Sequence, residues 1–139
     1  MTCKIAFLCL AHNNFQFIEQ VSHYYCSEGD GFFLHIDKQV KLDKSLKFHK
    51  DTIVLDNDER YRSRWGTIDI VQATLALLTQ AVRQNQYDKF ILVSGADIPL
   101  LSKRKLKSQL SNDLSYFSVW SKETVDSKTP QAGEFFHRH

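Results

Sequence analysis

Three short runs hold the side chains best suited to chemistry. Ser94-Gly95-Ala96-Asp97-Ile98-Pro99-Leu100 directly follows Lys89-Phe90-Ile91-Leu92-Val93, an apolar run that reads as a buried strand. A strand ending this way delivers a hydroxyl, a bare backbone and a carboxylate to the carboxyl edge of a sheet, where open α/β sheets bind ligands. Gly95 would permit close backbone approach, and Pro99 stops the strand. His35-Ile36-Asp37-Lys38 closes a second such run, and Ala11-His12-Asn13 closes a third. His35 and Asp37 are two apart and share a strand face, which suits a hydrogen-bonded pair or a shared cation, with His12 and Asp97 as further ligands only if the fold gathers them. The alternative is that Asp37 accepts hydrogen bonds from a ligand or a loop while His35 is a satisfied, partly buried histidine. No resident metal is expected.

Arg60-Tyr61-Arg62-Ser63-Arg64-Trp65-Gly66 carries three arginines just before a helix. Guanidinium forks suit phosphate or carboxylate, a helix amino terminus adds free N–H groups, and Trp65 could stack on a ring; the alternative is a solvated loop anchored by Trp65. Lys103-Arg104-Lys105 reads as a solvated face. Nothing resembles GxGxxG, a P-loop, a GxSxG elbow or HExxH, so glycine-rich phosphate loops and nucleophilic triads are not indicated.

The elements that must position these groups follow from periodicity. Cys3 to Leu10 reads as a strand, and Asn13-Asn14 as the cap of a helix to about Cys26, with Ile18, Val21 and Tyr25 on one face. Gly29-Asp30-Gly31 is a turn, Phe32 to Ile36 a second strand and Thr52 to Leu55 a third. The lysine-rich stretch 41–50 is a surface connection or short helix. From Thr67 to about Asn85, Ile68, Val71, Leu75, Leu78 and Val82 recur at steps of three and four, predicting a helix that packs this face across the sheet. Lys89 to Val93 is the fourth strand, Ser102 caps a helix carrying Leu106 and Leu110, and Tyr116 to Trp120 is a fifth strand. Strands alternating with helices imply βαβ units, a mostly parallel sheet and right-handed crossovers.

Composition excludes several classes. At 139 residues and 42% hydrophobic content, the chain fits one soluble globular domain. A net charge of +2, without a dense basic run, argues against nucleic acid. No run approaches the ~20 apolar residues of a spanning helix, and no signal peptide is visible. Cys3, Cys9 and Cys26 form neither a CxxC pair nor a disulfide framework, so the expected location is the cytoplasm, including the inner face of its membrane.

Five segments in this order resemble the core-2/I-branching β-1,6-N-acetylglucosaminyltransferases (glycosyltransferase family 14, including peptide O-xylosyltransferases), in a bacterial-type form. They are Leu10-Ala11-His12-Asn13, Phe33-Leu34-His35-Ile36-Asp37-Lys38, Arg64-Trp65-Gly66, Tyr87-Asp88-Lys89-Phe90-Ile91-Leu92, and Ser94 to Leu100; together they span about Lys4 to Trp120. The resemblance implies a Rossmann-like, GT-A-type domain with helices on both faces, binding a UDP-sugar such as UDP-GlcNAc or UDP-xylose. It implies inverting transfer of the sugar to a hydroxyl of a glycan or polysaccharide precursor. It would place His12, Asp37, Arg64 and Trp65 near the nucleotide, and Ser94, Gly95 and Asp97 near the diphosphate or donor sugar. No essential divalent ion is implied, since Gly95 stands where a paired acidic motif would need a carboxylate and Asp97 is alone.

The family's catalytic domain extends beyond this length, and its second half supplies the acceptor groove, the base and the cations for the diphosphate. Residues 1–139 are therefore expected to be the donor-binding amino-terminal part of such a domain, with the base unassigned and Glu134 not promoted to it. Phe135 and Phe136 read as aromatics awaiting a partner surface. The competing reading is a non-catalytic nucleotide-sugar-binding or interaction module complete at 139 residues; a receiver-like domain is disfavoured because Ala11-His12-Asn13 lacks clustered acids.

Overall fold

The alternation of apolar runs and amphipathic segments builds a four-stranded sheet between helices in the computed structural model, which describes residues 3–64 and 66–116. The elements are β1 (Ile5–Ala11), α1 (Phe15–Tyr25), a 3₁₀ turn (Ser27–Gly29), β2 (Gly31–Ile36), β3 (Thr52–Val54), α2 (Ile68–Arg83), β4 (Lys89–Ser94) and α3 (Lys103–Leu110). The strand order is β3-β2-β1-β4 and every pair is parallel, so this is a Rossmann-like α/β fold as expected. The chain leaves β1 in one direction toward β2 and in the other toward β4. The topological switch therefore lies between β1 and β4.

Strand alternation divides the core in two. Ile5, Phe7, Cys9 and Ala11 of β1 join Phe32, Leu34 and Ile36 of β2 under α1 and α3, with Ile18 and Tyr25 buried and Val21, Leu106 and Leu110 packed against them. Ala6, Leu8 and Phe33 face the other way, toward α2. Stretch 41–50 is a connection without a helix; Leu42 and Phe48, with Val40 just before it, pack against the α1 side of the core.

Three features differ from the sequence expectation. Asn14 does precede α1, but with φ 58 and no side-chain cap; asparagine tolerates the left-handed turn, and its carbonyl accepts the Ile18 N–H. The second concerns α2, which crosses the sheet on Ala73, Leu77 and Ala81, whereas Ile68, Val71, Leu75 and Val82 are half or more exposed. At 100° per residue the two stripes lie roughly 140° apart. The small residues face inward because Leu8, Phe33 and Leu55 already fill the sheet surface, and alanines let the helix approach them.

The third is Lys103, which is buried, not solvated. Its Nζ lies 2.6 Å from Asp30 Oδ2, 4.4 Å over the Phe7 ring and 3.2 Å from the Tyr25 carbonyl, while Lys107 reaches Asp30 Oδ1 at 3.1 Å. Burial pulls the Lys103 ammonium below the usual lysine range, against the pull of Asp30. The Asp30 carboxylate also accepts the Ile5 N–H, so it ties α3 to the starts of β1 and β2. Of the expected fifth strand only Tyr116 is described, and it is exposed and outside any strand; Phe117 to Trp120, like Glu134, Phe135 and Phe136, lie outside the described residues.

Candidate functional site

Because all four strands are parallel, the three polar strand ends emerge at one edge. The Asp37 N–H donates to the Ala11 carbonyl (2.9 Å) and the Gly95 N–H to the Leu10 carbonyl (2.9 Å), so β2 and β4 are both stitched to the end of β1. His35 and Ser94 both pair with Leu10, one from each side. Two strand spacings, roughly 10 Å, therefore separate them. His12, Ser94 and Asp97 are exposed around the β1–β4 end, while Asp37 and Arg64 belong to the β2 side. Trp65 lies outside the described residues.

The Ser94–Asp97 turn satisfies itself. Asp97 Oδ2 accepts the Ser94 N–H at 2.6 Å, the Asp97 N–H returns to the Ser94 carbonyl, and Ser94 Oγ accepts the Ala96 N–H. Gly95 is buried, and a Cβ there would stand 3.0 Å from Ile18 Cδ1 and 3.3 Å from Ala11 Cβ. The close approach that glycine permits is to α1 and β1, the packing that seats the turn on the sheet.

On the β2 side the arginine segment runs along the strand end in a strand-like register. His35 Nε2 accepts the Tyr61 N–H at 2.9 Å, the Lys38 N–H donates to the Tyr61 carbonyl at 3.1 Å, and Asp37 Oδ2 accepts the Ser63 N–H at 2.6 Å. Two side chains two residues apart thus hold two amides two residues apart. Asp37 Oδ1 takes the Gln39 N–H at 2.8 Å, and the residue is only 9% exposed. Desolvation raises its pKa, but the hydrogen bonds from Gln39 and Ser63 outweigh that and hold the carboxyl below the ordinary range. His35 is fully buried, and desolvation lowers its pKa against the opposing charge of Asp37. Accepting at Nε2 requires the neutral ring, with its proton on Nδ1.

Held this way, the segment walls a cavity of about 490 Å³ in which Lys38, Arg60, Arg62 and Arg64 face Asp58 and Asp69, with Tyr61 also lining it. Four cations oppose two carboxylates. Asp69 is already engaged: it accepts from Arg64 Nε at 2.9 Å and from the Thr67 hydroxyl at the start of α2, bonds that hold its carboxyl below the usual range. The remaining excess of positive charge, at a strand-end edge, suits an anionic ligand. The volume is within the range of small-molecule sites. Two other cavities, about 410 and 720 Å³, open at the opposite, amino-terminal edge near Asp30 and Tyr87 and near Lys4 and Lys89, away from every strand-end motif. Among the described residues, no three His, Cys, Asp or Glu side chains gather to hold a cation.

Sequence reasoning marked the arginine segment, but His35 and Asp37 were seen only as a pair facing a ligand, a loop or a cation. Their tie to Tyr61 and Ser63, 26 residues away, leaves no local signal. Among the described residues no helix is long and apolar enough to cross a membrane. No curated protein matches the chain in sequence. The model of the Core-2/I-Branching enzyme family matches residues 5–131, most of the 139-residue chain. With the parallel sheet and the ordered strand-end motifs, that match identifies the chain as a member of the Core-2/I-Branching enzyme family, a family of glycosyltransferases that act between a sugar donor and an acceptor.

Proposed function

We propose that this chain binds a UDP-sugar, of UDP-GlcNAc or UDP-xylose type, at the carboxyl edge of its sheet. The sugar is destined for inverting transfer to a hydroxyl of a glycan or polysaccharide precursor. The observation that carries the reading is the 490 Å³ cavity lined by Lys38, Arg60, Arg62, Arg64 and Tyr61. Guanidinium groups there suit a diphosphate, and the Tyr61 ring offers an aromatic face to a base. His12, Ser94 and Asp97, near the β1–β4 switch, border the space for the donor sugar. Gly95 contributes by seating that turn and Asp37 by holding the loop; Trp65 is kept in the site on sequence grounds.

The reaction needs a base for the acceptor hydroxyl and cationic help for the departing diphosphate. Asp37, Asp69 and Asp97 are each engaged in holding their own loops. That favours donor binding as the contribution of these residues, with the base drawn from elsewhere in the catalytic domain. Exposed Phe90 and Leu92, on the α2-side face of the edge strand β4, support further protein packing over that face. A non-catalytic nucleotide-sugar-binding module is the second reading, favoured by the same engagement of the carboxylates. We place the protein in the cytoplasm and its donor binding outside any metal requirement.

Titration calorimetry with UDP, UDP-GlcNAc, UDP-xylose and a purine nucleotide tests the reading. Uridine nucleotides should bind in preference, with affinity unchanged by EDTA. Equal binding of all four, or a large loss with EDTA restored by manganese, refutes it. Robust transfer to a hydroxyl acceptor by this chain alone would overturn the division of labour.

A further inference from the structure

We propose that His35 is the positioning residue of the donor cavity: its neutral ring pins the arginine segment to the end of β2, and protonation of that ring releases the segment. This inference rests on the donor-binding reading above. Three bonds tie the segment to β2, namely Tyr61 N–H to His35 Nε2 (2.9 Å), Lys38 N–H to the Tyr61 carbonyl (3.1 Å) and Ser63 N–H to Asp37 Oδ2 (2.6 Å). Only the first depends on a group whose ordinary titration falls near neutrality. Once protonated, both ring nitrogens are donors, so Nε2–H would confront the Tyr61 N–H and an attraction would become a repulsion.

The ring is sealed into this contact. His35 is fully buried and the Tyr61 ring lies nearly parallel to it, 18° apart in plane with centroids 6.5 Å apart. On β1 its neighbour is Leu10, and α2, which covers this face of the sheet, buries Ala73, Leu77 and Ala81 against it; none of these carries charge. The ionisable groups that bear on it are Asp37, from the end of its own strand, and Arg60, from the segment it holds. Asp37 favours the cation and Arg60 opposes it. Burial, the largest influence, also opposes it, so the ring is neutral at pH 7 and the clamp is closed. His35 Nδ1, Arg60 Nε and Ser63 Oγ are buried without a protein partner, so opening the segment hydrates them and offsets part of its cost.

The sign follows directly. A histidine whose folded pKa is lowered contributes fully above its unfolded value of 6.5, and the contribution fades as pH falls toward the folded value. Donor affinity should therefore fall on acidification below about 6.5. Arg60, Arg62 and Arg64 keep their charge throughout. The ligand for this test is a nucleotide-sugar, whose diphosphate is esterified at both ends and keeps its charge over this range; the terminal phosphate of free UDP titrates at about 6 and would by itself weaken binding to a cationic cavity on acidification.

The test uses His35→Gln, whose amide oxygen can take the place of Nε2 and does not titrate, and His35→Leu, which offers no acceptor. Titrations with UDP-GlcNAc and UDP-xylose between pH 5 and 8 are paired with ligand-free amide exchange of residues 58–66, corrected for intrinsic rates. Wild type should lose about tenfold in nucleotide-sugar affinity across that range, the fold-change of one net hydrogen bond. His35→Gln should bind as wild type does at pH 8 and lose the pH dependence. His35→Leu should bind about tenfold more weakly at every pH, with the Tyr61 amide unprotected. A pH profile of His35→Gln that matches wild type overturns the proposal, and this arm decides alone if His35→Leu fails to fold. So does wild-type affinity in a folded His35→Leu. If no protein binds either nucleotide-sugar yet Tyr61 exchange follows the expected pattern, the clamp stands and the donor reading fails.

Discussion

Replacing Asp37 by alanine should loosen a loop before it affects any ligand, and the size of the effect can be worked from two bonds. The carboxylate accepts the Gln39 N–H at 2.8 Å and the Ser63 N–H at 2.6 Å. Hydrogen bonds to a charged group contribute about 1.5–3 kcal/mol each, so the pair amounts to about 3–6 kcal/mol. Both amides sit at the rim of the sheet and recover part of that loss by hydration, which brings the expected destabilisation to about 2–4 kcal/mol. A domain held by about 5–15 kcal/mol survives this and still folds. The folded carboxyl is held below its ordinary pKa, so its stabilisation is complete above the unfolded value of 3.8 and is lost as pH falls through the lower folded value. Urea denaturation of wild type and Asp37→Ala at pH 7 and pH 3, with amide exchange at Ser63, measures both effects. The gap in stability should narrow at pH 3, and Ser63 should lose protection in the variant. A loss under about 0.5 kcal/mol at pH 7, or a gap that does not change with pH, would refute the account of Asp37 as the anchor of the arginine segment.

Asp30→Ala leaves Lys103 buried without its nearest counter-charge and should cost about 3–5 kcal/mol by thermal or chemical denaturation. Asp30 stands at the amino-terminal edge, so UDP affinity measured under folding conditions should not change. Gly95→Val drives atoms into Ile18 and Ala11 and should destabilise by about 1–3 kcal/mol in the same assays. The orientation of α2 is tested by a contrasting pair: Leu75→Glu, on the exposed stripe, should stay within about 0.5 kcal/mol of wild type, and Leu77→Ala, at the sheet, should lose about 2–5 kcal/mol. Equal losses at both sites would contradict the observed packing face.

Most of the element order was legible because it depends on neighbours in sequence. The apolar runs around Ile5–Ala11, Gly31–Ile36 and Lys89–Ser94 are strands, α1 and α2 begin and end within a few residues of their predicted positions, and α3 begins after Ser102 and carries Leu106 and Leu110 as predicted. Ser102 and Thr67 accept N–H bonds at the starts of α3 and α2, local chemistry that a sequence displays openly. Alternation of these elements was sufficient to imply a parallel sheet, and hence that His12, Asp37 and Ser94 would share an edge. The ordered motifs were also sufficient to suggest the family whose model matches residues 5–131.

What each polar residue does at that edge was decided by partners distant in the chain. Periodicity predicted that the Ile68-Val71-Leu75-Val82 stripe of α2 faces the sheet, but the helix packs on Ala73-Leu77-Ala81 instead, a choice that depended on how much room Leu8 and Phe33 leave above the sheet. Lys103 looked like a surface charge until Asp30, 73 residues earlier, met it inside the core. His35 and Asp37 could be read as facing a ligand, a cation or a loop; the fold supplied the loop, by laying Tyr61 and Ser63 against them in matching register. Local patterns encode backbone conformation because it is set by neighbouring residues. The burial and protonation of a polar group depend on which distant group reaches it, and that is a property of tertiary packing alone.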